Sequence, residues 1–359
     1  MVNRTKIIII MVSCSALYAV QARALVATLN NDFSTGSFRW FAGPPVLEPI
    51  EVDGEKWISV KDPSIVRYKG RWHLFCTVRG LKRSHAIIYL TFENWPQAKT
   101  TPQQVLKCHP GYFCAPHVFY FTPHKKWYLI CQASDDTWEP KYQPAFSSTT
   151  DITSPDSWSS LTPLFKTKPA NINAWLDFWV ICDDAKAHLF FTSLNGKMWR
   201  AETTLAQFPA GWSTPVLALE ADVFEASHTY RLKGSNKYLT LIEAQNGHGW
   251  RYYKAYLADR LDGVWTPLAA GKEKSFASML NVRHPSERWT DVISHGELLR
   301  AGYNEKLEVD PDNLRFLFQG VADPQRLRKS YGRIPWRLGI LEPAPKTAAI
   351  SEIHPKPPR

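Results

Sequence analysis

The sequence lacks the features that would place it in several large classes. It has only 6 cysteines and 4 methionines, and charged residues make up 21% of the chain. Cys14 lies in the N-terminal apolar stretch, so five cysteines remain beyond it, an odd number that is no disulfide framework. No Cys/His spacing resembles a zinc site. No run of Lys or Arg occurs; basic residues are scattered singly, which argues against nucleic acid as a partner despite a net charge of +10. Long Ala/Glu/Lys/Leu stretches are also few, which excludes coiled coils and disfavours helix bundles.

Only one long apolar run occurs, and it is at the start. Arg4 and Lys6 precede the stretch from Ile7 to Val20, which is followed by Ala22-Arg23-Ala24. A basic segment, a short apolar core and a small-x-small site read as a signal peptide over residues 1–24. The run is shorter than the ~20 residues that span a bilayer. The alternatives, a retained anchor or a lipoprotein signal at Cys14, fit less well. The expectation is a secreted, extracellular or periplasmic protein with no membrane contact after cleavage. Cleavage removes Arg4, Lys6 and Arg23 and no acid, lowering the net charge from +10 to +7. Cys76, Cys131 and Cys182 sit in strand-like apolar runs and read as small core residues. Cys108 and Cys114 flank a turn-rich segment and are the candidates for a bridge in an oxidising compartment.

What is abundant is rings and prolines: 15 Trp, 14 Tyr, 18 Phe and 26 Pro, in a chain of 359 residues that is 44% hydrophobic. That composition favours short strands joined by tight loops. Five segments share one plan, a strand, a polar turn and a strand opened by an aromatic residue or His. The second strands open at Trp72, Trp127, His188 and Tyr238, at intervals of 55, 61 and 50 residues, and the fifth, less regular, near Phe316. Strand–turn–strand units at this spacing predict an all-β fold, a five-bladed β-propeller, over residues 38–341. A β-sandwich or β-helix is the competing reading, and a β-helix needs shorter, more regular repeats. Residues 25–37 read as a short leader, and 342–359, rich in proline, as a flexible tail.

The repeat also points to the chemistry. Just before the first strand of successive units lie Asp62, Asp177 and Glu225, at 10, 11 and 13 residues before the residue opening the next strand. Equivalent positions converge at one end of a propeller axis, so three carboxylates remote in sequence are expected in one pocket. An Asp before Pro often only caps a turn, but Asp177, within Trp175-Leu176-Asp177-Phe178-Trp179, must be paired or shifted in pKa. Glu243, late in a second strand, reads as a structural partner. Carboxylates in a pocket walled by Trp and Phe are the equipment of glycoside hydrolysis.

Read in order, Lys61-Asp62-Pro63-Ser64, Ala115-Pro116 with Val118-Phe119-Tyr120, Trp175-Leu176-Asp177-Phe178-Trp179, Phe224-Glu225-Ala226-Ser227, Ser294-His295-Gly296-Glu297, Asn313-Leu314-Arg315 and Pro335-Trp336-Arg337-Leu338 resemble the successive motifs of glycoside hydrolase family 62. The resemblance runs from about residue 38 to 341. It implies an α-L-arabinofuranosidase that releases arabinose side chains from arabinoxylan by an inverting mechanism. It further implies Asp62 as general base, Glu225 as general acid and Asp177 as the group that tunes and holds the acid. Lys61, Tyr331 and Arg337 are the implied sugar-pocket residues, and His295 the implied holder of a largely hydrated structural calcium ion. The implied partner is a polysaccharide, arabinoxylan or its oligosaccharides, and the implied state a monomer. Two departures stand out. Tyr331 is followed by Gly332 where the family commonly has Asn, and Ala133 follows Gln132 where some members have Trp. A catalytically silent carbohydrate-binding propeller, or a related five-bladed enzyme acting on arabinan or xylo-oligosaccharides, are the alternatives.

Overall fold

The computed structural model describes residues 31–52, 54–170, 172–245 and 250–345. The expected signal peptide, its cleavage site and the residues beyond 345 lie outside them. Five sheets, antiparallel but for one parallel edge pair in each of two, are arranged as the blades of a propeller. The innermost strands are Glu55–Tyr68, Tyr112–Phe121, Leu176–Cys182, Glu225–Leu232 and Ser294–Leu298. Each is followed outward by the strand that the sequence repeat predicts: Arg71–Gly80, Lys126–Ser134, Lys186–Thr192, Tyr238–Gln245 and Phe316–Gly320. Strands this rich in Val, Ile, Phe, Tyr and Trp bury both faces between neighbouring blades, and the inner strands are buried along almost their whole length.

The ring closes by sharing a sheet between the two ends of the chain. Trp40–Ala42 pairs antiparallel with Arg337–Pro343, Trp40 opposite Pro343 and Ala42 opposite Leu341. Closure in this way leaves no blade with an unpartnered neighbour. Trp40 is fully buried and donates its indole N–H to Phe276 O at 2.6 Å. At the margins, Asp32 and Ser37 of the expected leader bridge one another, and the last strand runs to Pro343, with Ala344 N–H donating to Arg39 O.

The fifth unit is irregular for a visible reason. Between its two inner strands the chain makes an excursion under the ring. Tyr303 O accepts from Tyr120 N, Glu305 O accepts from Cys182 N, and Glu308–Val309 adds a parallel strand beside Glu225–Leu232. The excursion starts at buried Arg300, which pairs with Glu297 at 2.7 Å and donates to Ile65 O and Val118 O. The excursion therefore runs along the C-terminal ends of the inner strands.

Blade joins blade through a ring of five bonds at one level of the axis. Ser64 Oγ accepts from Val118 N (3.0 Å), His117 Nε2 donates to Val180 O (2.8 Å) and Trp179 Nε1 donates to Thr229 O (2.8 Å). His228 Nδ1 donates to Gly296 O (2.7 Å), and Glu297 Oε2 accepts from Ile65 N (3.1 Å), which returns to the first blade. Each side chain occupies the same register position of its inner strand.

All five remaining cysteines are buried and free. The bridge considered for Cys108 and Cys114 is therefore not formed. Cys114 lies in an inner strand with its thiol between Tyr112 Oη and Gln132 Nε2, both at 3.1 Å, whereas Cys108 lies in the preceding loop, its carbonyl accepting from Leu161 N.

Truncating the closing tryptophan tests this architecture. Trp40→Ala removes a fully buried indole and its hydrogen bond, and is expected to cost about 3–5 kcal/mol in denaturant unfolding. A loss under about 1 kcal/mol, the scale of a surface substitution, contradicts the closure described.

Candidate active site

Every inner strand carries a register break at an equivalent position, and the first has a second one, between Trp57 and Ser59. Bulges fall between Lys61 and Ser64, Cys114 and His117, Leu176 and Trp179, Glu225 and His228, and Ser294 and Gly296. In four blades the residue inside the bulge is left-handed: Asp62 (φ 47°), Ala115 (51°), Asp177 (56°) and Ala226 (52°). A non-glycine residue there is strained and must be held from outside. The holding groups come from neighbouring blades. Gln319 Oε1 accepts from Asp62 N, Thr77 Oγ1 from Ala115 N, Gln132 Oε1 from Asp177 N and Glu243 Oε2 from His295 N. Asp177 Oδ2 takes the Ala226 N–H at 3.0 Å.

This geometry corrects one detail of the sequence reading. Asp62 and Asp177 are register mates of Ala115, Ala226 and His295. Glu225 stands one residue earlier, level with Lys61, Cys114, Leu176 and Ser294. Interval counting cannot see this, because the bulges and the variable turns both absorb residues. The three carboxylates still meet in one pocket of about 350 Å³, together with Lys61, His295, Arg251 and Tyr331.

The carboxylates are unlike one another. Asp62 is buried, which by itself raises its pKa, but the Lys61 ammonium at 3.1 Å, His295 at 3.4 Å and the Thr77 hydroxyl outweigh burial and hold it at about 2. Asp177 is pushed well above the usual carboxylate range by burial and by facing Glu225 and Asp62, with only the Ala226 N–H opposing strongly from the backbone. Glu225 accepts from Arg251 Nη1 at 2.7 Å. Arg251 in turn lies over the rings of Phe224 (4.8 Å), Trp336 (5.5 Å) and Tyr331 (5.6 Å). The pocket thus pairs an ionised carboxylate, Asp62, with one that its surroundings hold back from ionising, Asp177.

Of the implied sugar-pocket residues, Lys61 and Tyr331 line the cavity, with Lys61 Nζ 5.5 Å from the Tyr331 ring. Arg337 does not. Its guanidinium stacks on Trp289 and binds Glu48 Oε1 (3.3 Å) and Trp289 O (3.2 Å) outside the pocket. The pocket guanidinium groups are Arg251 and Arg79, neither of which the sequence reading singled out. Both sit on outer strands, away from the strand starts where the repeat draws attention. The walls differ too: Trp175 and Trp179 are core residues, and the pocket's rings are Phe224, Tyr112 and Tyr331. At the Gly332 departure, Arg79 Nε donates to Gly332 O (2.7 Å), and a Cβ at 332 would meet Arg79 Nη2 at 2.2 Å. The Arg79 guanidinium fills the place of a side chain there.

A largely hydrated calcium ion would take most of its ligands from water, with His295 as its one implied side chain. Calcium takes six to eight oxygen ligands, whereas His295 offers ring nitrogen, its Nδ1 facing Asp62 and Asp177. Among the described residues no group of three or more His, Cys, Asp or Glu side chains is placed to hold a metal.

Fold and pocket together define a five-bladed propeller with a carboxylate-lined axial site. The chain matches glycosyl hydrolase family 62 over residues 47–342, and it belongs to that family. It is 38% identical over 310 residues to "Alpha-L-arabinofuranosidase C" of Cellvibrio japonicus (strain Ueda107), which covers 84% of this chain but 46% of that protein, so the chain spans about half the relative's length. The catalytic domain of the Coprinopsis cinerea GH62 α-L-arabinofuranosidase is 35% identical, with a TM-score of 0.80, covering 86% of this chain and 98% of the other. A GH62 hydrolase solved in complex with xylotriose is 34% identical, with a TM-score of 0.79, covering 87% and 99%.

The Lys61–Asp62 pair carries a pH prediction. A base must be ionised, so activity falls as pH drops through its pKa. Lys61→Met removes the ammonium that keeps Asp62 at about 2. The acidic limb of kcat/KM is expected to move up by about one to three pH units. An unmoved limb contradicts the assignment of Asp62 as the ionised partner.

Proposed function

We propose that this protein is a secreted, monomeric α-L-arabinofuranosidase that removes non-reducing-end arabinofuranosyl side chains from arabinoxylan with inversion. The observation that carries the reading is the asymmetry of the pocket. Asp62 is held ionised by Lys61, while burial and the facing Glu225 and Asp62 push the Asp177 carboxyl well up. Family membership, the activity in the relatives' names and the xylotriose bound by one neighbour support the substrate class. Closure of the axis by Arg300 and the excursion beneath it favours capture of a chain end over passage of a polymer.

In this mechanism Glu225 gives its proton to the glycosidic oxygen as the bond to the anomeric carbon breaks. Asp62 takes a proton from a water whose oxygen attacks the opposite face of that carbon. Arabinose leaves with inverted configuration and the xylan oxygen leaves as a hydroxyl. Solvent then returns a proton to Glu225 and removes one from Asp62. Asp177 stays bonded to Ala226 N, fixing the strand that carries Glu225. Room for the water requires Asp62 and Glu225 carboxyl groups roughly 6.5–9.5 Å apart.

The test is proton NMR of arabinose as it is released from arabinoxylan, with two variants beside the wild type. The first-formed anomer is expected to be inverted. Glu225→Ala should lose activity on xylan by about 10²–10⁴-fold and far less on a nitrophenyl arabinofuranoside, whose leaving group needs no proton. Asp62→Ala should fail on both and recover with azide, giving an inverted product. A retained anomer, or a wild type that binds xylan and releases nothing, overturns the reading.

A further inference from the structure

The lysine and the two arginines that line the pocket differ in how they are paired. Lys61 pairs with Asp62 at 3.1 Å, and Arg251 with Glu225 at 2.7 Å and Glu243 at 3.2 Å. Arg79 makes no ion pair with any described carboxylate. Its Nε donates to Gly332 O at 2.7 Å, and its Nη1 stands 3.5 Å from His85 Nε2. The register fixes its height. Thr77 lies opposite Lys61 and Arg79 opposite Ser59, so Arg79 stands two residues, about 7 Å, nearer the open end of the strand. The carboxylates lie deeper, at the bulges. A sugar held among them leaves the rest of the polymer at the level of Arg79.

Gly332 is built around this guanidinium. It is not among the left-handed glycines, so its backbone does not require glycine. The space does: a Cβ there would run into Arg79 Nη2 and Cζ. The segment around Gly332 is also cationic. Arg328, Lys329 and Arg333 are all exposed, and none forms an ion pair with a described residue. Acids of the neighbouring segments are already engaged. Asp323 pairs with Arg326 and Glu48 with Arg337, while Glu55 Oε1 accepts from Lys82 N.

We infer that Arg79 is a specificity-determining residue that binds a carboxylate carried by the polysaccharide, so that the enzyme favours a xylan bearing uronic acid side groups near the arabinose it removes. This rests on the reading of the chain as a xylan arabinofuranosidase and adds a second feature to its substrate. A guanidinium presents a planar fork of donors that matches a carboxylate. Pinned by one nitrogen to Gly332 O, it is oriented before the substrate arrives, which lowers the entropy cost of binding. The three exposed cations beside it add a field of the same sign, which draws an acidic chain to the mouth.

The test compares kcat/KM on an arabinoxylan that carries glucuronic acid side groups with kcat/KM on the same polymer after its carboxyl groups are reduced to alcohols. The wild type is expected to favour the acidic polymer by roughly tenfold at low salt, and to lose most of that preference at high salt, where exposed charges are screened. Arg79→Gln keeps hydrogen-bonding capacity without the charge and is expected to bring the ratio close to one. Gly332→Ala keeps every charge but displaces the guanidinium, and is expected to lower the ratio as well, which keeps the inference testable should Arg79→Gln fail to fold. A wild type that acts equally on both polymers, or an Arg79→Gln variant with the wild-type ratio, overturns the inference. A wild type that releases arabinose from neither polymer instead overturns the arabinofuranosidase reading on which it rests.

Discussion

Each inner strand carries a bulge whose buried N–H is gripped by a neighbouring side chain, in four blades at a strained residue, and the rest of the site depends on that grip. Left-handed backbone at Asp62, Ala115, Asp177 and Ala226 is unfavourable alone. It persists because the buried N–H groups are caught by Gln319, Thr77, Gln132 and Asp177. The bulge turns the strand so that residues on either side of it face the axis, which brings Lys61, Asp62, Asp177 and Glu225 to one cavity. One level deeper, the ring from Ser64 through His117, Trp179 and His228 to Glu297 fixes the spacing between blades. Pocket geometry is thus a property of the closed ring and not of any one blade.

The departures from fivefold regularity fall at the chemistry. Between blades three and four the catching group is Asp177 itself, on the inner strand, and Thr192, the residue in the usual position, is left with a buried hydroxyl that has no partner. Between blades four and five the catching group is a carboxylate, Glu243, where the others have amides or hydroxyls. Both exceptions flank Glu225. Asp177 fixes the backbone that follows it, and Glu243 fixes the guanidinium that binds its carboxyl. A repeat built for packing has been altered at the two places that decide where one carboxyl group sits.

The hairpin repeat made the blades and the three carboxylates legible in the sequence, since alternating aromatic strands and polar turns act locally. The fifth blade was harder to read because its strands are contributed by both ends of the chain and interrupted by the excursion under the axis. Arg251, Arg79 and Gln132 gave no sequence signal, because they reach the pocket from outer strands whose register only the folded sheets define. Arg337 shows the converse: its motif is present, yet its guanidinium is claimed by Glu48 and Trp289. Glu243 was legible as a partner but not as whose partner, since its pairing with Arg251 joins adjacent strands whose register only the folded sheet defines.

The central claim is that one pocket holds an ionised carboxylate and a protonated one at the same pH. Neutron diffraction from deuterium-exchanged crystals grown near neutral pH reads this directly. The account predicts a bare Asp62 carboxylate beside a fully deuterated Lys61 ammonium, and a deuteron at the Asp177–Glu225 end. A deuteron on Asp62, with Asp177 and Glu225 both bare, would contradict it.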